Sequence, residues 1–497
     1  MKSISETAVA ILAALALQGA AVAGQLDPAN ADRAPVGTTA AQGQPMLQRL
    51  DAYAPQIIRM ADQMWQQPEL GYLENASSAL MQEELRAHGF QIDAGVAGMP
   101  TAFVATAGKR GKGPVIGLLA EMDALPGMSQ AAAPRRQAIA GQDPGHACGH
   151  NLFGAGAVGA AVALKEWLDS TGTEGEIRVF GTPAEEGGSG KVYMVRDGLF
   201  KDVDVVLHWH PNSRNSAAQS ISLANISGKF RFSGQASHAA MAPERGRSAL
   251  DGVEALNHMA NMLREHVPQE TRIHYIISNG GGSAPNVVPA SAEAYYYVRH
   301  PDPVVVRSVF KRLTDAAEGA ALGTGTSFEF EQTGGVFSLL PNDTLGKVMH
   351  ASLQQVGGVK YSAADAAFAK ELQTHLEQQV DISEAAKIAP YSVDGDGFGS
   401  TDVGDVSWAV PTVGMGAATW VPGTPAHSWQ AVAASGMGIG HKGAVVAAKA
   451  LSLTAMRLFS EPQLLQQARA EFERRRGRDF RYEPLLQRES PPLDYRK

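Results

Sequence analysis

The residues best suited to chemistry in this chain of 497 residues combine a thiol, imidazoles and carboxylates in short motifs. Cys148 and His150 stand two residues apart among glycines, so that both side chains can reach one metal ion from a sharp turn. A thiolate sulfur with an imidazole nitrogen suits Zn²⁺ or a neighbouring transition ion. The alternative interpretation is a buried cysteine beside a structural histidine.

Two adjacent carboxylates, Glu185 and Glu186, follow the apolar run at 177–180 and are flanked by proline and glycine. Neighbouring side chains of a strand point to opposite faces. One carboxylate can therefore bind a cation while the other moves protons on a bound water. A surface turn that happens to contain two glutamates is the alternative interpretation.

Histidines complete the set. His208 and His210 are two residues apart after a predicted strand at 203–207, so both imidazoles can face one way, although one of the pair can be a core residue. His427 lies in a loop after a predicted strand at 412–417. Thiol, imidazole and carboxylate ligands at successive strand ends predict a hydrolase with two cations about 4 Å apart, which polarise a carbonyl and activate a shared water.

The elements that must position these motifs alternate between strand and helix. The patterns predict helices at 47–65 and 151–168 and strands at 115–119, 177–180 and 203–207. This order predicts an α/β fold with a mostly parallel sheet flanked by helices. The motifs follow the carboxyl ends of the strands, which is the edge of such a sheet where ligands bind.

From residue 220 to 331 the predicted order becomes βαββαβ, a four-stranded ferredoxin-like sheet with two helices inserted into the first domain. The α/β pattern then resumes and closes with a helix at 437–459. We expect a helical insertion at 365–379 and a solvated, Arg-rich tail. The predicted domains are a signal peptide at 1–23, a linker at 24–45, a catalytic domain at 46–217 and 336–460, a lid or dimerisation domain at 218–335 and the polar tail at 461–497.

Composition and the first residues restrict location and partners. The chain has 42 Lys and Arg against 50 Asp and Glu, a net charge of −8 that argues against a nucleic-acid partner. Lys2, an apolar run at 8–17 and the small residues at 21–23 predict a signal peptide cleaved before Gly24. The run is too short to cross a bilayer. The prediction is a periplasmic or secreted protein with no membrane span after cleavage.

The chain resembles the zinc-dependent aminoacylase and carboxypeptidase family of clan MH. Within it, the chain is similar to the branch of hippurate hydrolases and auxin-conjugate hydrolases, nearest to the amidohydrolases that act on p-aminobenzoyl-glutamate. The resemblance extends over residues 47–459 and is carried by motifs in the family's order, at residues 67–71, 120–127, 146–150, 182–187, 208–211, 234–238, 284–289 and 425–428.

The resemblance implies a role for each motif residue. Cys148 would be a ligand that bridges two divalent metal ions, with zinc as the first choice and manganese, cobalt or nickel as alternatives. The other implied ligands are His150, Glu186, His427 and one of His208 and His210, of which we prefer His210. Glu185 would be the general base that takes a proton from the bridging water and returns it to the leaving amine. Asp123 would orient a ligand imidazole.

The inserted unit matches the family's lid, and the resemblance implies that His238 reaches the active site of a partner subunit to stabilise the carbonyl oxygen. Asn286 and Arg299 would hold the substrate carboxylate. The implied function is hydrolysis of the amide bond of N-acyl or N-aroyl amino acids, by a homodimer or with a homologous second subunit. The alternatives are a dipeptidase or carboxypeptidase on the same scaffold, and a non-catalytic periplasmic binding protein.

Overall fold

The computed structural model describes residues 40–496, so the predicted signal peptide lies outside the described residues. The first helix already begins at Ala40, so the predicted linker is wrong for residues 40–45. The helices are α1 (Ala40–Gln66), α2 (Asn75–Ala87), α3 (His150–Thr171), α4 (Gly190–Arg196), α5 (Ala249–Leu263), α6 (Pro303–Thr324), α7 (Asp343–Val356), α8 (Ala363–Gln373), α9 (Val403–Ala409), α10 (Trp429–Ser435), α11 (Gly438–Ser460) and α12 (Pro462–Arg476).

The strands form one six-stranded sheet, one four-stranded sheet and two short pairs among the described residues. They are β1 (Gln91–Ala94), β2 (Phe103–Gly108), β3 (Val115–Glu121), β4 (Glu176–Thr182), β5 (Val205–Leu207), β6 (His210–Asn212), β7 (Gln219–Ile221), β8 (Ala224–Ser233), β9 (Arg272–Asn279), β10 (Ser291–His300), β11 (Ser327–Val336), β12 (Val393–Asp396), β13 (Thr412–Val413) and β14 (Gly416–Ala418).

The central sheet has the order β1-β2-β4-β3-β5-β13. Strands β4, β3, β5 and β13 are parallel to one another, whereas β1 and β2 pair antiparallel at one edge. Strand β4 is buried along its whole length, as expected for a parallel strand covered on both faces by other layers. The predicted α/β class is confirmed, with a mixed sheet whose parallel strands carry the site motifs.

The inserted unit is an antiparallel sheet of order β11-β8-β10-β9, with α5 and α6 packed on one face. Its own hydrophobic core contains Phe230, Phe232, Tyr296 and Leu313. The predicted βαββαβ order is confirmed. The single strand predicted from 220 to 233 is wrong, because the chain turns between β7, which pairs with β12, and β8.

Two further expectations are wrong. The strand predicted at 412–417 is two strands, because β13 extends the central sheet while β14 pairs with β6. The tail is not solvated, since Leu464 and Phe472 of α12 are buried and the later Leu485 and Leu486 are only 1% and 2% exposed. The predicted insertion at 365–379 is the shorter helix α8.

Within the described residues, α11 is the one helix long and apolar enough to cross a membrane, and it is mostly buried in the protein. It packs against α1, α3 and α7. The small residues of α11 and α3 let these helices approach closely in the core, as Gly159 of α3 does where its missing side chain leaves room for Ile57. This packing accounts for the apolar composition of α11 without a membrane.

Candidate metal centre

The site motifs meet where the parallel strands end. Asp123 follows the end of β3, Glu185 and Glu186 follow the end of β4, and α3 begins at His150. The carboxyl ends of parallel strands lie at one edge of the sheet, so these side chains converge although they are distant in sequence. His427, in the loop before α10, joins them through a hydrogen bond from its backbone N–H to the carbonyl of Ala147 (3.1 Å).

Cys148 belongs to two groups of metal-binding atoms. One group contains Cys148, His150 and His210, and the other contains Cys148, Glu186 and His427, with all donor atoms of each group within 4.8 Å of one another. His427 Nε2 lies 3.1 Å from Cys148 Sγ and 3.3 Å from Glu186 Oε1. A thiolate shared by both groups is placed to bridge two cations, as expected from the motifs; the ligand roles themselves stay a prediction.

The structure brings His210 rather than His208 to Cys148 and His150. His210 Nδ1 lies 2.7 Å from the carbonyl oxygen of Pro211, which fixes the ring. Burial and the neighbouring His150 lower the pKa of His210, which favours the neutral imidazole that binds metals. The ring of His208 lies against Gly414 instead, and in the described part of the chain it joins no donor group.

The buried Asp123 carboxylate contacts two of the candidate ligands. One oxygen lies 3.0 Å from His150 Nδ1, and the other accepts a hydrogen bond from the backbone N–H of Glu186 (2.8 Å). Burial alone would raise the pKa of Asp123, but the hydrogen bond and charge of His150 hold it below its usual range. Because its Nδ1 faces Asp123, His150 is left with Nε2 for a metal ion.

Glu185 lies in a third group with Glu121 and His150, whose donor atoms are also within 4.8 Å. Burial and the charges of Glu121 and Glu186 raise the pKa of Glu185 well above its ordinary value. A carboxylate that accepts a proton readily in this setting is suited to general acid and base chemistry.

A buried ion network beside Glu185 was missed by the sequence analysis. The Lys191 ammonium, completely buried, lies 2.7 Å from Glu121 Oε1 and 2.8 Å from Asp402 Oδ1. Burial would raise the pKa of Glu121, but Lys191 and His150 lower it. No spacing links positions 121, 191 and 402, and a lysine within the buried helix α4 was the only available signal.

The polar atoms of the centre fit divalent cations. Glu121 Oε2, His150 Nε2 and Glu186 Oε1 are buried and have no hydrogen-bond partner among the described residues. Without a cation, burial and the Glu186 and Glu185 carboxylates raise the pKa of the Cys148 thiol well above its usual value. Metal binding would therefore release the thiol proton, and sulfur, nitrogen and oxygen donors together suit zinc-like ions.

The lid residues do not join this centre within one chain. His238 is exposed, and its Nδ1 accepts hydrogen bonds from the backbone N–H groups of Ala240 and Met241 (both 3.2 Å), which leaves Nε2 outward. Asn286 is exposed in the adjoining turn, where its carbonyl accepts from Ala239 N (2.9 Å). Arg299 lines a separate cavity of about 470 Å³.

Known proteins share this sequence and fold. The family model of peptidase family M20/M25/M40 matches residues 117–451. The chain is 40% identical over 450 residues to one of the two subunits of p-aminobenzoyl-glutamate hydrolase of Escherichia coli (strain K12), covering 85% of this chain and 93% of that protein. It is 31% identical over 451 residues to Xaa-Arg dipeptidase of Mus musculus, covering 86% and 91%. A Bacillus subtilis structure described as a dinuclear metal-binding peptidase from the M20 family has a similar fold, with a TM-score of 0.56, 18% identity and coverage of 82% of this chain and 99% of that one.

The two neighbouring histidines give a matched pair of variants. We expect His210→Ala to lower zinc content from about two ions to about one per chain, because it removes a donor from the group with Cys148 and His150. His208→Ala should keep both ions, since the His208 ring packs against Gly414 instead. Metal analysis after exhaustive dialysis measures both; retention of two ions by the first variant and loss by the second would reverse the assignment.

Proposed function

The chain belongs to peptidase family M20/M25/M40, and from this membership we propose that it hydrolyses the amide bond between an acyl or aroyl group and an amino acid. Members of this family are hydrolases of amide bonds, and a metal-dependent one needs a cation site beside a proton-transfer group. The observation that carries the proposal is Cys148 shared by two donor groups, with Glu185 beside them. The products would be a carboxylic acid and a free amino acid.

The chemistry divides between the metal ions and Glu185. When bound, two divalent cations polarise the amide carbonyl and lower the pKa of a shared water towards about 7. Glu185 takes a proton from the attacking water and delivers it to the amide nitrogen as the carbon–nitrogen bond breaks. Its raised pKa suits this second step, because the carboxyl must hold the proton until the amine leaves.

Zinc is our first choice for both ions, with manganese, cobalt or nickel as alternatives. A sulfur donor from Cys148 favours a borderline soft ion, while carboxylate and imidazole donors accept all four. Elemental analysis of protein purified without added metal distinguishes them.

Two arginines support an acidic amino acid as the leaving group. Arg272 and Arg299 are directly opposite each other on β9 and β10, and both line the cavity of about 470 Å³ together with His274. Like charges placed opposite each other destabilise a sheet. Arg272 donates hydrogen bonds to nearby backbone carbonyls and Arg299 to a serine hydroxyl, so that a carboxylate of the substrate would supply the missing negative charge.

This cavity is connected to the metal centre by one loop. Arg299 Nη1 donates a hydrogen bond to Ser400 Oγ (3.2 Å), and Arg299 Nε is buried without a hydrogen-bond partner among the described residues. Two residues later, Asp402 binds Lys191 beside Glu121. An amino acid held by Arg299 would therefore be recognised by the same loop that borders the general base.

A homodimer would complete the site. Strand β9 is an edge of the lid sheet, and Ile276 and Ile277 on it are 61% and 45% exposed, which suits pairing with a second copy. His238 and Asn286 are exposed and free to act on the site of the other protomer. Pairing with a homologous second chain is the alternative, since both subunits of the Escherichia coli hydrolase are similar to this chain. Size measurement of the purified chain separates the two.

We also propose that the protein is exported, as a periplasmic or secreted enzyme. The basic Lys2, the apolar run at 8–17 and the small residues at 21–23 support it. Amino-terminal sequencing of the exported protein should begin at Gly24.

Glu185→Gln tests the proton-transfer role. We expect turnover to fall by roughly 10²–10⁴-fold with zinc content unchanged, because the amide cannot take the proton of the attacking water. The substrates are benzoyl-glutamate, p-aminobenzoyl-glutamate, N-acetyl amino acids and plain dipeptides, assayed with and without chelator. The exposed Glu83→Gln is the control. Near-wild-type turnover by the variant would make the assignment wrong, and cleavage of dipeptides alone would favour the dipeptidase alternative.

Arg272→Gln tests the preference for acidic amino acids. We expect kcat/KM for benzoyl-glutamate to fall roughly 10–100-fold, as for loss of a charged hydrogen bond, with little change for benzoyl-alanine. Arg231→Gln is the control, because Arg231 on β8 is already paired with Glu293 at 2.6 Å. An equal loss for both substrates would contradict an anion site at Arg272.

Mixing two inactive variants tests the action of His238 across the dimer. If His238 serves the other protomer, mixed dimers of His238→Ala and Glu185→Gln chains contain one intact site, and mixing should restore activity to roughly a quarter of the wild-type value. If His238 serves its own chain, no site is intact and mixing restores nothing. Each variant incubated with itself is the control.

A further inference from the structure

The turn that carries Glu185 and Glu186 has a strained backbone. Ala184 and Ser189 both have φ of +57°, a region that residues other than glycine rarely adopt, and Gly187 has φ of +96°. Only two backbone hydrogen bonds lie within the turn, from Gly187 N to Glu185 O (2.7 Å) and from Gly188 N to Ala184 O (3.0 Å). Such a conformation persists only when surrounding groups hold it in place.

The peptide groups of Glu186 are held from outside the turn. Its N–H donates to Asp123 Oδ2 (2.8 Å), within the metal centre. Its carbonyl oxygen accepts one hydrogen bond from the Tyr495 hydroxyl (3.1 Å) and one from Arg496 Nη2 (2.7 Å). Fixing both peptide groups fixes the direction in which the Glu186 carboxylate leaves the backbone.

Tyr495 and Arg496 belong to the segment 477–496, here called the tail. Leu485 is buried in the lid core and the next residue, Leu486, in the catalytic core. Gln332 of β11 donates a hydrogen bond to the Leu485 carbonyl (2.8 Å), and Tyr482 donates to Asp405 of α9 (2.7 Å). The tail is therefore anchored on both the lid and the catalytic domain before it reaches Glu186.

The end of the tail is packed as well as hydrogen-bonded. The Tyr495 ring lies edge-on to Tyr72, with 5.6 Å between ring centroids. A Cβ on Gly71 would lie 2.3 Å from the Tyr495 hydroxyl, so that the glycine leaves room for it. Tyr72 in turn donates a hydrogen bond to the Gly188 carbonyl (2.7 Å), on the same strained turn. Two tyrosines from distant segments thus hold this turn together.

We infer that Tyr495 and Arg496 are positioning residues that hold Glu186 in its metal-binding orientation. The tail thereby controls occupancy of the metal site formed by Cys148, Glu186 and His427. The site with His150 and His210 depends instead on the start of α3 and on β6. The inference rests on the proposed role of Glu186 as a ligand.

The test is zinc affinity measured by competition with a chromogenic chelator, which needs no substrate. In the double variant Tyr495→Phe with Arg496→Gln, we expect one zinc ion to bind roughly 10–100-fold more weakly and the other as in wild type. Tyr495→Phe keeps the ring against Tyr72, so the turn loses donors rather than packing. Arg478→Gln, an exposed change of the same charge in the tail, should leave both affinities unchanged.

The conservative variant Arg496→Lys should retain near-wild-type affinity, because an ammonium can also donate to the Glu186 carbonyl. Wild-type affinity at both sites in the double variant would overturn the inference. Equal loss at both sites with a lower Tm would also overturn it, since that indicates a general structural role. Wild-type protein that binds no zinc would contradict the proposed two-metal function itself, which distinguishes the two failures.

Discussion

The Asp123 carboxylate is the interaction on which the centre depends, because its two oxygens reach ligands from two separate elements. One oxygen faces His150 at the start of α3, and the other receives the backbone N–H of Glu186 after β4. Neither ligand is near Asp123 in sequence. The parallel order of β3 and β4 is what places the end of each strand beside the other, so the sheet topology and the ligand geometry are one constraint.

Negative charge exceeds positive charge around this carboxylate. One buried ammonium, that of Lys191, serves two carboxylates directly, while the others depend on imidazoles and on hydrogen bonds. Burying unpaired charge is costly, so a fold with this many carboxylates at one place needs cations for stability as well as for chemistry. The carboxylates concerned are Glu121, Asp123, Glu185, Glu186 and Asp402. The same groups that perform the reaction therefore couple metal binding to folding.

Short motifs made much of the site predictable. Cys148 with His150, and Glu185 with Glu186, stand at strand ends where local sequence fixes both residue type and position. The choice between His208 and His210 was not predictable, because alternation along a strand puts both on one face, whereas β5 ends at Leu207 and β6 begins at His210 in a different sheet. The docking of the tail was also missed, since a polar, Arg-rich sequence does not reveal contacts with residues 309 positions earlier.

Leu485 and Leu486 have a mechanical consequence. They are consecutive residues, yet one is buried in the lid core and the other in the catalytic core. Their Cα atoms can be only about 3.8 Å apart. The two cores cannot separate at this point without withdrawing a leucine, at a cost of roughly 2–5 kcal/mol by analogy with its removal from a core. Any opening of the lid must therefore be a rotation about this pair, so that the far side of the cleft widens while the tail side stays closed.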